Sequence, residues 1–290
     1  LILWFTVRWR PKAAFSPERL KGLFSFGWKL LASSLLNTVS EKLRPMIIGF
    51  RYTSADLALY NEGMIFPNLI VENVNSSIDS VLLPALSEQQ DSTERVKQMT
   101  KHAICLSSYI MWPLMFGLFA CARPLVSLVL GEEWLPCVPF IQIFSLYYAM
   151  YPIHTSNLNA IKAVGRSDIF LKLEVIKRVL DFALVIGTLF ISVKAMACGL
   201  LAEGVICLFI NSYPNKKLCG YTFPEQLKDI MPSFLLAAGM CAAVFAVSLL
   251  HLGDLATLFI QVPFGAALYV AGSFILKLEP FQYLLEVVKQ

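Results

Sequence analysis

Charged side chains are scarce in this sequence, and their scarcity excludes a large class of proteins. Asp, Glu, Lys and Arg make up 15% of the 290 residues, whereas hydrophobic residues make up 57%. Soluble domains contain about 25% charged residues, so this composition does not suit a soluble core. The sequence also lacks a Lys/Arg cluster interleaved with aromatic residues, which argues against nucleic acid as a partner. The composition therefore predicts an integral membrane protein.

Patterns typical of metal sites and disulfides are also missing. The seven cysteines form no Cys-x-x-Cys pair and mostly lie in apolar runs, where a thiol behaves as a small hydrophobe. The histidines, His102, His154 and His251, are far apart and lack the spacing of metal ligands. We therefore expect no disulfides, no metal site and no cofactor.

Hydrophobic runs long enough to cross a bilayer fill most of the chain. A spanning helix needs about 20 mainly apolar residues, which predicts an all-α membrane protein here. The chain opens on "LILWFTVRWRPK" without Met, and the charges follow the apolar part, so residues 1–10 are interpreted as the end of a preceding transmembrane helix. The chain is thus expected to be a fragment. The predicted spans cover residues 22–50, 62–86, 102–122, 136–161, 169–191, 195–213, 231–250 and 255–276.

The loops between these spans are short and alternate in charge. One set holds most of the 24 Lys and Arg residues and includes residues 88–101 and 214–229. The positive-inside rule places this set in the cytoplasm. The other set is poor in basic residues and includes residues 131–135, which are predicted to be periplasmic. The lack of a sizeable extracytoplasmic loop argues against a membrane-bound polysaccharide polymerase or ligase.

The second span carries polar residues along one face, although it is apolar enough to cross a membrane. Two central acids cost about 5–7 kcal/mol on the insertion scale, while the Leu, Ile and Val residues return about 3–5 kcal/mol. Such a helix needs a polar surface to face, either a water-filled cavity or a neighbouring helix that forms hydrogen bonds with it. The opposite, apolar face is expected to suit lipid. The polar residues that share a face are Asn68, Glu72, Asn75 and Asp79.

Two further spans carry polar stripes at helical spacing. The stripe of the fifth span holds two acids and two bases, which either neutralise each other structurally or line a functional surface. Full-length stripes on the first two spans together predict a hydrated cavity. The first span presents Lys29, Ser33, Asn37, Ser40 and Arg44 on one face, with Lys42 as a further basic residue. The fifth span presents Glu174, Lys177, Arg178 and Asp181.

Several stretches resemble those of one transporter family. They include "LFSFGWKLLASSLLNTV", "SADLALYNEGMIFPNLI", "SLYYAMYPIHTSNLNAIKAVGRSDIF" and "NSYPNKKLCGYTFPEQLKDIMPS". These stretches resemble the Wzx-type polysaccharide and lipopolysaccharide O-unit flippases of the multidrug/oligosaccharidyl-lipid/polysaccharide exporter superfamily. The resemblance implies a MATE-like fold of two six-helix lobes plus two extra helices. Within it, the expected divisions are a cytoplasmic linker at 11–21, the second lobe at 22–213, a cytoplasmic loop at 214–229, and two additional helices with a cytoplasmic tail at 230–290.

The resemblance also implies a function. Such proteins are not enzymes. They are multi-pass proteins of the bacterial inner membrane that move undecaprenyl-pyrophosphate-linked oligosaccharides across it by alternating access, driven by an ion gradient. The implied partners are the lipid-linked oligosaccharide, membrane lipids, a proton or sodium ion, and the polysaccharide polymerase machinery. The family has no short catalytic motif, so the candidate site residues rest on the polar stripes alone.

The stripes suggest a role for each group of candidates. Basic residues would attract pyrophosphate or an acidic sugar, polar residues would form hydrogen bonds with sugar hydroxyls, and an acid would carry the coupling ion. A drug/cation antiporter of the same superfamily is the alternative, but it predicts a cavity of acids and aromatics, and the basic first stripe counts against it. The candidates are Arg44, Lys29 and Lys42 for the anion, Asn68, Asn75, Asn37 and Ser33 for the hydroxyls, and Glu72 or Asp79 for the ion.

Overall fold

The computed structural model describes residues 16–250 and 252–288, and every described regular element is helical. The predictions for residues 1–10 and for the first part of the 11–21 linker lie outside the described residues. The predicted all-α fold is confirmed. The helices are α1 (Pro17–Arg51), α2 (Ser54–Glu88), α3 (Thr93–Val129), α4 (Val138–Ala149), α5 (Tyr151–Ala163), α6 (Ser167–Leu189), α7 (Val193–Ser212), α8 (Asn215–Leu218), α9 (Phe223–Val247), α10 (Asp254–Ile275) and α11 (Glu279–Val288), with 3₁₀ turns at Glu132–Cys137 and Ser248–Leu250.

Local sequence signals set the ends of these helices. The α1–α2 connection is very short because Thr53 and Asp56 form a capping box. The Thr53 hydroxyl accepts a hydrogen bond from the Asp56 amide at 3.1 Å, and the Asp56 carboxylate accepts one from the Thr53 amide at 3.2 Å. Thr222 and Glu225 form the same device at the start of α9. These caps fix where the chain reverses direction, and therefore which helices become neighbours.

The fourth predicted span, residues 136–161, is broken in the middle. α4 ends at Ala149, α5 begins at Tyr151, and Pro152 occupies the first turn of α5. A proline there lacks the amide that would continue the α4 ladder, so the helix stops and restarts at Met150. α4 and α5 contain 12 and 13 residues, each shorter than the roughly 20 that cross a bilayer. Only in succession do they traverse the protein.

α3 lies in the middle of the bundle. It packs on α9 and α10 on one side and on α2, α4 and α5 on the other, while α6 joins α1 to α7. The core contains a Tyr60, Phe140 and Phe144 cluster, in which the rings of Tyr60 and Phe144 have centroids 5.0 Å apart. Gly63 lets α2 approach α4 closely, since a Cβ there would lie 2.3 Å from the Phe140 Cβ. The small residue is therefore required by the packing of these two helices.

Four of the described helical segments are long and apolar enough to span a membrane by themselves: Thr93–Val129, Val193–Leu218, Phe223–Leu250 and Asp254–Ile275. Large apolar side chains such as Leu255, Phe259 and Phe274 are exposed on their outer surfaces. A soluble protein rarely exposes so much apolar surface. The chain is therefore a multi-pass membrane protein. The long helices α1, α2 and α6 lie outside that group of four, and they are the helices that carry the polar stripes.

Candidate functional site

The polar stripe of α1 faces the interior of the bundle. Ser33, Ser40 and Arg44 are buried, and Lys29 and Asn37 are half-buried. The opposite face, with Leu31, Leu35 and Val39, is exposed. The inward face contacts α6 more extensively than α2. Lys42 lies away from this stripe and is exposed beside the outward apolar residues.

Arg44 lies at the centre of a buried ion cluster that connects three helices. Its guanidinium donates hydrogen bonds to the Asp181 carboxylate on α6 and to the Met196 carbonyl oxygen on α7, the latter at 2.7 Å. A second carboxylate, Glu203 on α7, has Oε2 3.5 Å from the Arg44 Nη2. Arg44 is 4% exposed, and Asp181 and Glu203 are each 5% exposed. Arg44 is therefore committed to partners within the protein.

The rest of the α6 stripe extends this cluster. Lys177 donates a short hydrogen bond to Glu174, and Arg178 has guanidinium nitrogens 3.8 Å from Glu174 and 3.9 Å from Asp181. We call Arg44, Glu174, Lys177, Arg178, Asp181 and Glu203 the ion cluster. It contains three cations and three anions, so their formal charges cancel, which keeps the cost of burying them low compared with isolated charges.

Glu203 was not among the residues that the sequence analysis selected. It has no polar partner at helical spacing in α7, because the surrounding segment "CGLLAEGVICL" is apolar. A single acid in an otherwise apolar spanning helix is nevertheless a signal, since such residues usually face a partner in the bundle. Its partner, Arg44, is distant in sequence and so could not be identified from spacing.

The polar stripe of α2 lies at the exposed edge of the helix. Asn68 donates a hydrogen bond of 2.6 Å to the exposed Glu72, and Asn75 is half-buried. Asp79, also exposed, accepts a hydrogen bond of 2.6 Å from Asn159 on α5. The candidates of α1 and α2 thus do not converge as one set, because Arg44 points towards α6 and α7.

The apolar face of α2 does not face lipid as we expected. Ile70, Val74 and Ile78 pack against the core of the bundle, whereas Val81 is exposed. The expectation failed for the first three because periodicity separates the faces of a helix but does not say which face the neighbouring helices cover. The polar stripe of α2 therefore lies beside a face that is packed against the bundle. It does not lie opposite a face that is exposed to lipid.

A cluster of tyrosines lies where α4 and α5 meet. The ring centroids of Tyr147 and Tyr148 are 5.0 Å apart, and those of Tyr148 and Tyr151 are 5.2 Å apart. Glu41 on α1 and Glu72 on α2 are both electrostatic neighbours of Tyr148, and Glu41 also neighbours Tyr151. Both acids are exposed. We call Glu41, Asn68, Glu72, Tyr148 and Tyr151 the polar face.

An apolar groove runs along α9 and α10, the two helices that pack on α3. Its volume is about 750 Å³. Leu227, Met231, Leu235 and Leu268 are among its lining residues, and Lys228 lies near the start of α9. The groove has the dimensions and the apolar lining of a site for a hydrocarbon chain.

Comparisons with known proteins point to one group. Residues 1–139 match the model of a family described as "Polysaccharide biosynthesis protein". The chain is 23% identical over 86% of its length to the teichuronic acid biosynthesis protein TuaB of Bacillus subtilis, covering 52% of that protein. It is 24% identical to the lipopolysaccharide biosynthesis protein WzxC of Escherichia coli, over 86% of this chain and 51% of WzxC.

Two further matches agree with these. The succinoglycan biosynthesis transport protein ExoT of Rhizobium meliloti is 24% identical over 58% of this chain and 34% of ExoT. The fold is similar to that of the lipid II flippase MurJ in an inward closed conformation, with a TM-score of 0.73 at 15% identity, over 95% of this chain and 58% of MurJ. The chain spans about half the length of TuaB and WzxC. The predicted resemblance is therefore confirmed: this multi-pass membrane chain is similar in sequence to polysaccharide biosynthesis and transport proteins such as WzxC, and similar in fold to a lipid II flippase.

Proposed function

We propose that this chain supplies one lobe of a transporter that moves lipid-linked oligosaccharide across the bacterial inner membrane. The cargo is an undecaprenyl-pyrophosphate-linked oligosaccharide, and the transporter moves it by alternating access, with the binding site open first to one side of the membrane and then to the other. The relatives named for teichuronic acid, lipopolysaccharide and succinoglycan support a polysaccharide pathway. Their names describe biosynthesis and transport, and we assign this chain a transport function and no catalytic step.

The observation that carries this proposal is the polar face. In it, two exposed acids, one from α1 and one from α2, are electrostatic neighbours of Tyr148 at the α4–α5 break. Carboxylate and amide oxygens accept hydrogen bonds from sugar hydroxyls, and a tyrosine offers both an apolar ring and a polar hydroxyl. Asn68 and Glu72 already form a hydrogen bond with each other, which orients both side chains. This face therefore suits the oligosaccharide part of the cargo.

The anionic and hydrocarbon parts of the cargo require other regions. Arg44 is already paired with Asp181 and the Met196 carbonyl oxygen, so Lys29, half-buried on the same stripe, is the better candidate for the pyrophosphate. The groove on α9 and α10 would take the isoprenoid chain. Lys228, beside the groove near the predicted cytoplasmic end of α9, offers a charge to a nearby lipid phosphate. Lipid tail, anion and sugar would then contact three separate surfaces.

Deletion of the gene in its native host tests the transport function. Surface polysaccharide should be lost, and lipid-linked oligosaccharide should accumulate on the cytoplasmic side of the membrane. The pool is measured by extracting lipids and releasing the glycans for mass spectrometry. Loss of surface polysaccharide without accumulation of the lipid-linked intermediate would contradict the proposal, because it would place the defect in synthesis and not in translocation.

The polar face has its own test in the complete protein. Glu72→Gln keeps shape and most hydrogen bonding, whereas Tyr148→Ala removes a ring that is largely buried beside both acids. Both should reduce surface polysaccharide while the amount of protein in the membrane is maintained. Glu88→Gln, an exposed acid at the end of α2, is the matched control. Unchanged export in both variants would remove the polar face from the proposal.

Glu72 and Asp79 remain our candidates for the coupling ion on α2. The Asn159 amide holds Asp79 at 2.6 Å, so this acid also fixes α2 to α5. The double variant Glu72→Gln with Asp79→Asn cannot ionise at either position. Export that still responds fully to the proton or sodium gradient in this variant would assign both acids a structural role.

A drug/cation antiporter is a second candidate because of one observation. The exposed groups of the polar face are the acids Glu41 and Glu72, which lie near the buried Tyr148 ring, while Arg44 is also buried, so this surface carries a negative charge that would suit an organic cation. Under this alternative, expression of the gene would protect a drug-sensitive strain from cationic dyes, and Glu72→Gln would remove that protection. No protection, together with accumulated lipid-linked oligosaccharide in the deletion strain, would exclude the antiporter.

A further inference from the structure

The two acids that surround Arg44 are held unequally. Asp181 accepts the short hydrogen bond from Arg44 and lies 3.9 Å from Arg178 as well. Glu203 has one contact with a cation among the described residues, at 3.5 Å from the Arg44 guanidinium, and its other close partner is the Asp181 carboxylate. Arg44 also directs a hydrogen bond to the Met196 carbonyl oxygen. Most of the hydrogen-bonding capacity of the Arg44 guanidinium is thus used by Asp181 and the Met196 carbonyl oxygen, and Glu203 has only the longer contact.

This inequality matters because both acids are buried. A buried carboxylate is stable as an anion only when close cations and hydrogen-bond donors replace the water that it has lost. Asp181 has such partners, whereas Glu203 has one contact beyond ordinary hydrogen-bond length. Of the two acids, Glu203 is the one whose ionised form has less support from its surroundings.

The groups that face Glu203 come from every helix packed around it. The cations are shared, since Arg178 also contacts Glu174 and Arg44 is bound to Asp181. Asp181 is a second anion, and the remaining neighbours are uncharged phenols and a thiol, which can shield a neutral carboxyl from lipid but cannot balance a negative charge. The facing groups are Arg44 on α1, Tyr60 on α2, Tyr147 on α4, Tyr151 on α5, Asp181 and Arg178 on α6, and Cys207 on α7.

We propose that Glu203 is a proton-binding site inside the lobe, and that its proton loosens α7 from Arg44 while Asp181 keeps α6 attached to α1. The proton comes from water, adds to a carboxylate oxygen of Glu203 and later leaves from the same carboxyl to water. No other reactant is needed. The site is separate from the polar face and from the candidate acids Glu72 and Asp79 on α2, and it rests on the proposed function only in linking the movement of the lobe to transport.

The proposed proton alters the contacts among three helices. With Glu203 ionised, Arg44 joins α1 to both α6 and α7. With Glu203 protonated, the ionic contact at 3.5 Å is lost, and the hydrogen bond to Met196 is the remaining link from Arg44 to α7. A change of protonation would therefore act on the α1–α7 distance and leave the α1–α6 distance nearly constant.

Infrared difference spectroscopy of the purified protein in nanodiscs detects the proton directly. The spectrum between about pH 6 and about pH 8, a range in which exposed carboxylates remain ionised, should contain a carbonyl band of one carboxylic acid. Glu203→Gln should remove this band, and Glu88→Gln, at an exposed position, should leave it intact. A spectrum without the band, or a band that survives Glu203→Gln, would overturn the proposal.

Distances between spin labels test the movement. Labels at the exposed positions Phe50 on α1 and Lys194 on α7 should move apart reversibly as the pH is lowered over the same range, and Glu203→Gln should hold the longer distance at every pH. A pair at Phe50 and Ile186 on α6 should stay constant. An α1–α7 distance that does not change with pH would refute the proposed coupling between protonation of Glu203 and helix movement. Both measurements are made without substrate, so they can fail while the export assay succeeds, and the reverse also holds.

Discussion

Removal of the Arg44 side chain tests most sharply what holds this lobe together. Arg44→Ala deletes the guanidinium that bridges Asp181, Glu203 and the Met196 carbonyl oxygen. Both acids then remain buried, at 5% exposure each, with a cation lost from beside them. Breaking a buried ion pair by removing one partner costs about 3–5 kcal/mol, because the remaining charge lacks compensation. We expect Arg44→Ala to lower the free energy of unfolding by about that amount.

The assay is equilibrium unfolding of the purified protein in mixed micelles, measured by pulse proteolysis. A loss of about 3 kcal/mol reduces the ratio of folded to unfolded protein more than 100-fold, which is easily resolved. Lys42→Ala is the matched control, since it removes an exposed cation from the same helix and should change stability by no more than about 0.5 kcal/mol. A drop of similar size in both variants would refute the buried-cluster reasoning.

Further substitutions separate charge balance from packing. If the penalty of Arg44→Ala comes from uncompensated carboxylates, adding Asp181→Asn and Glu203→Gln to that variant should recover much of the lost stability. Contacting residues of this kind are expected to be non-additive by about 0.5–3 kcal/mol. Arg44→Lys should lower the free energy of unfolding by less than Arg44→Ala does. A lysine ammonium keeps the charge, but it lacks the planar guanidinium whose several N–H groups contact three partners at once. Additive losses in the combined variant would show that packing and not charge dominates.

Other features give independent predictions. Cysteines introduced at Ser92 and Glu133 of the complete protein should behave oppositely towards an impermeant thiol reagent in intact cells. Glu133→Cys should react, and Ser92→Cys should be protected until the membrane is permeabilised. The reverse result would invert the topology. Gly63→Ala should lower the unfolding free energy by about 1–3 kcal/mol, because its Cβ would lie 2.3 Å from the Phe140 Cβ. Gly27→Ala, with no atom within 4 Å of the added Cβ, is the control and should not destabilise the protein.

The sequence predicted the helical fold well because length and apolar content are local properties. Each predicted span falls on a described helix or pair of helices, but some helices are longer than predicted: α3 (Thr93–Val129) begins nine residues before the predicted span 102–122 and ends seven residues after it. The break at Met150 was not predicted, because a proline such as Pro152 can bend a helix or end it and the choice depends on tertiary packing.

The candidate site was only partly predictable. Spacing placed Glu174, Lys177, Arg178 and Asp181 on one face, and the structure joins them by ion pairs. Spacing could not reveal that Arg44 completes this cluster, because its partner Asp181 is 137 residues away. Contacts between distant helices depend on how faces are paired, and the spacing of residues within one helix does not reveal that pairing.

The cancelling charges of the ion cluster have a consequence for bioenergetics. Moving one elementary charge across the membrane potential is worth about 2.3 kcal/mol per 100 mV, so a group with net charge exerts a force on the lobe whenever the voltage changes. Three cations beside three anions give no such force when the lobe moves as a unit. One bound proton would give the cluster a net positive charge and make its movement electrogenic. The membrane voltage would then exert a force on the protonated cluster and no net force on the deprotonated cluster.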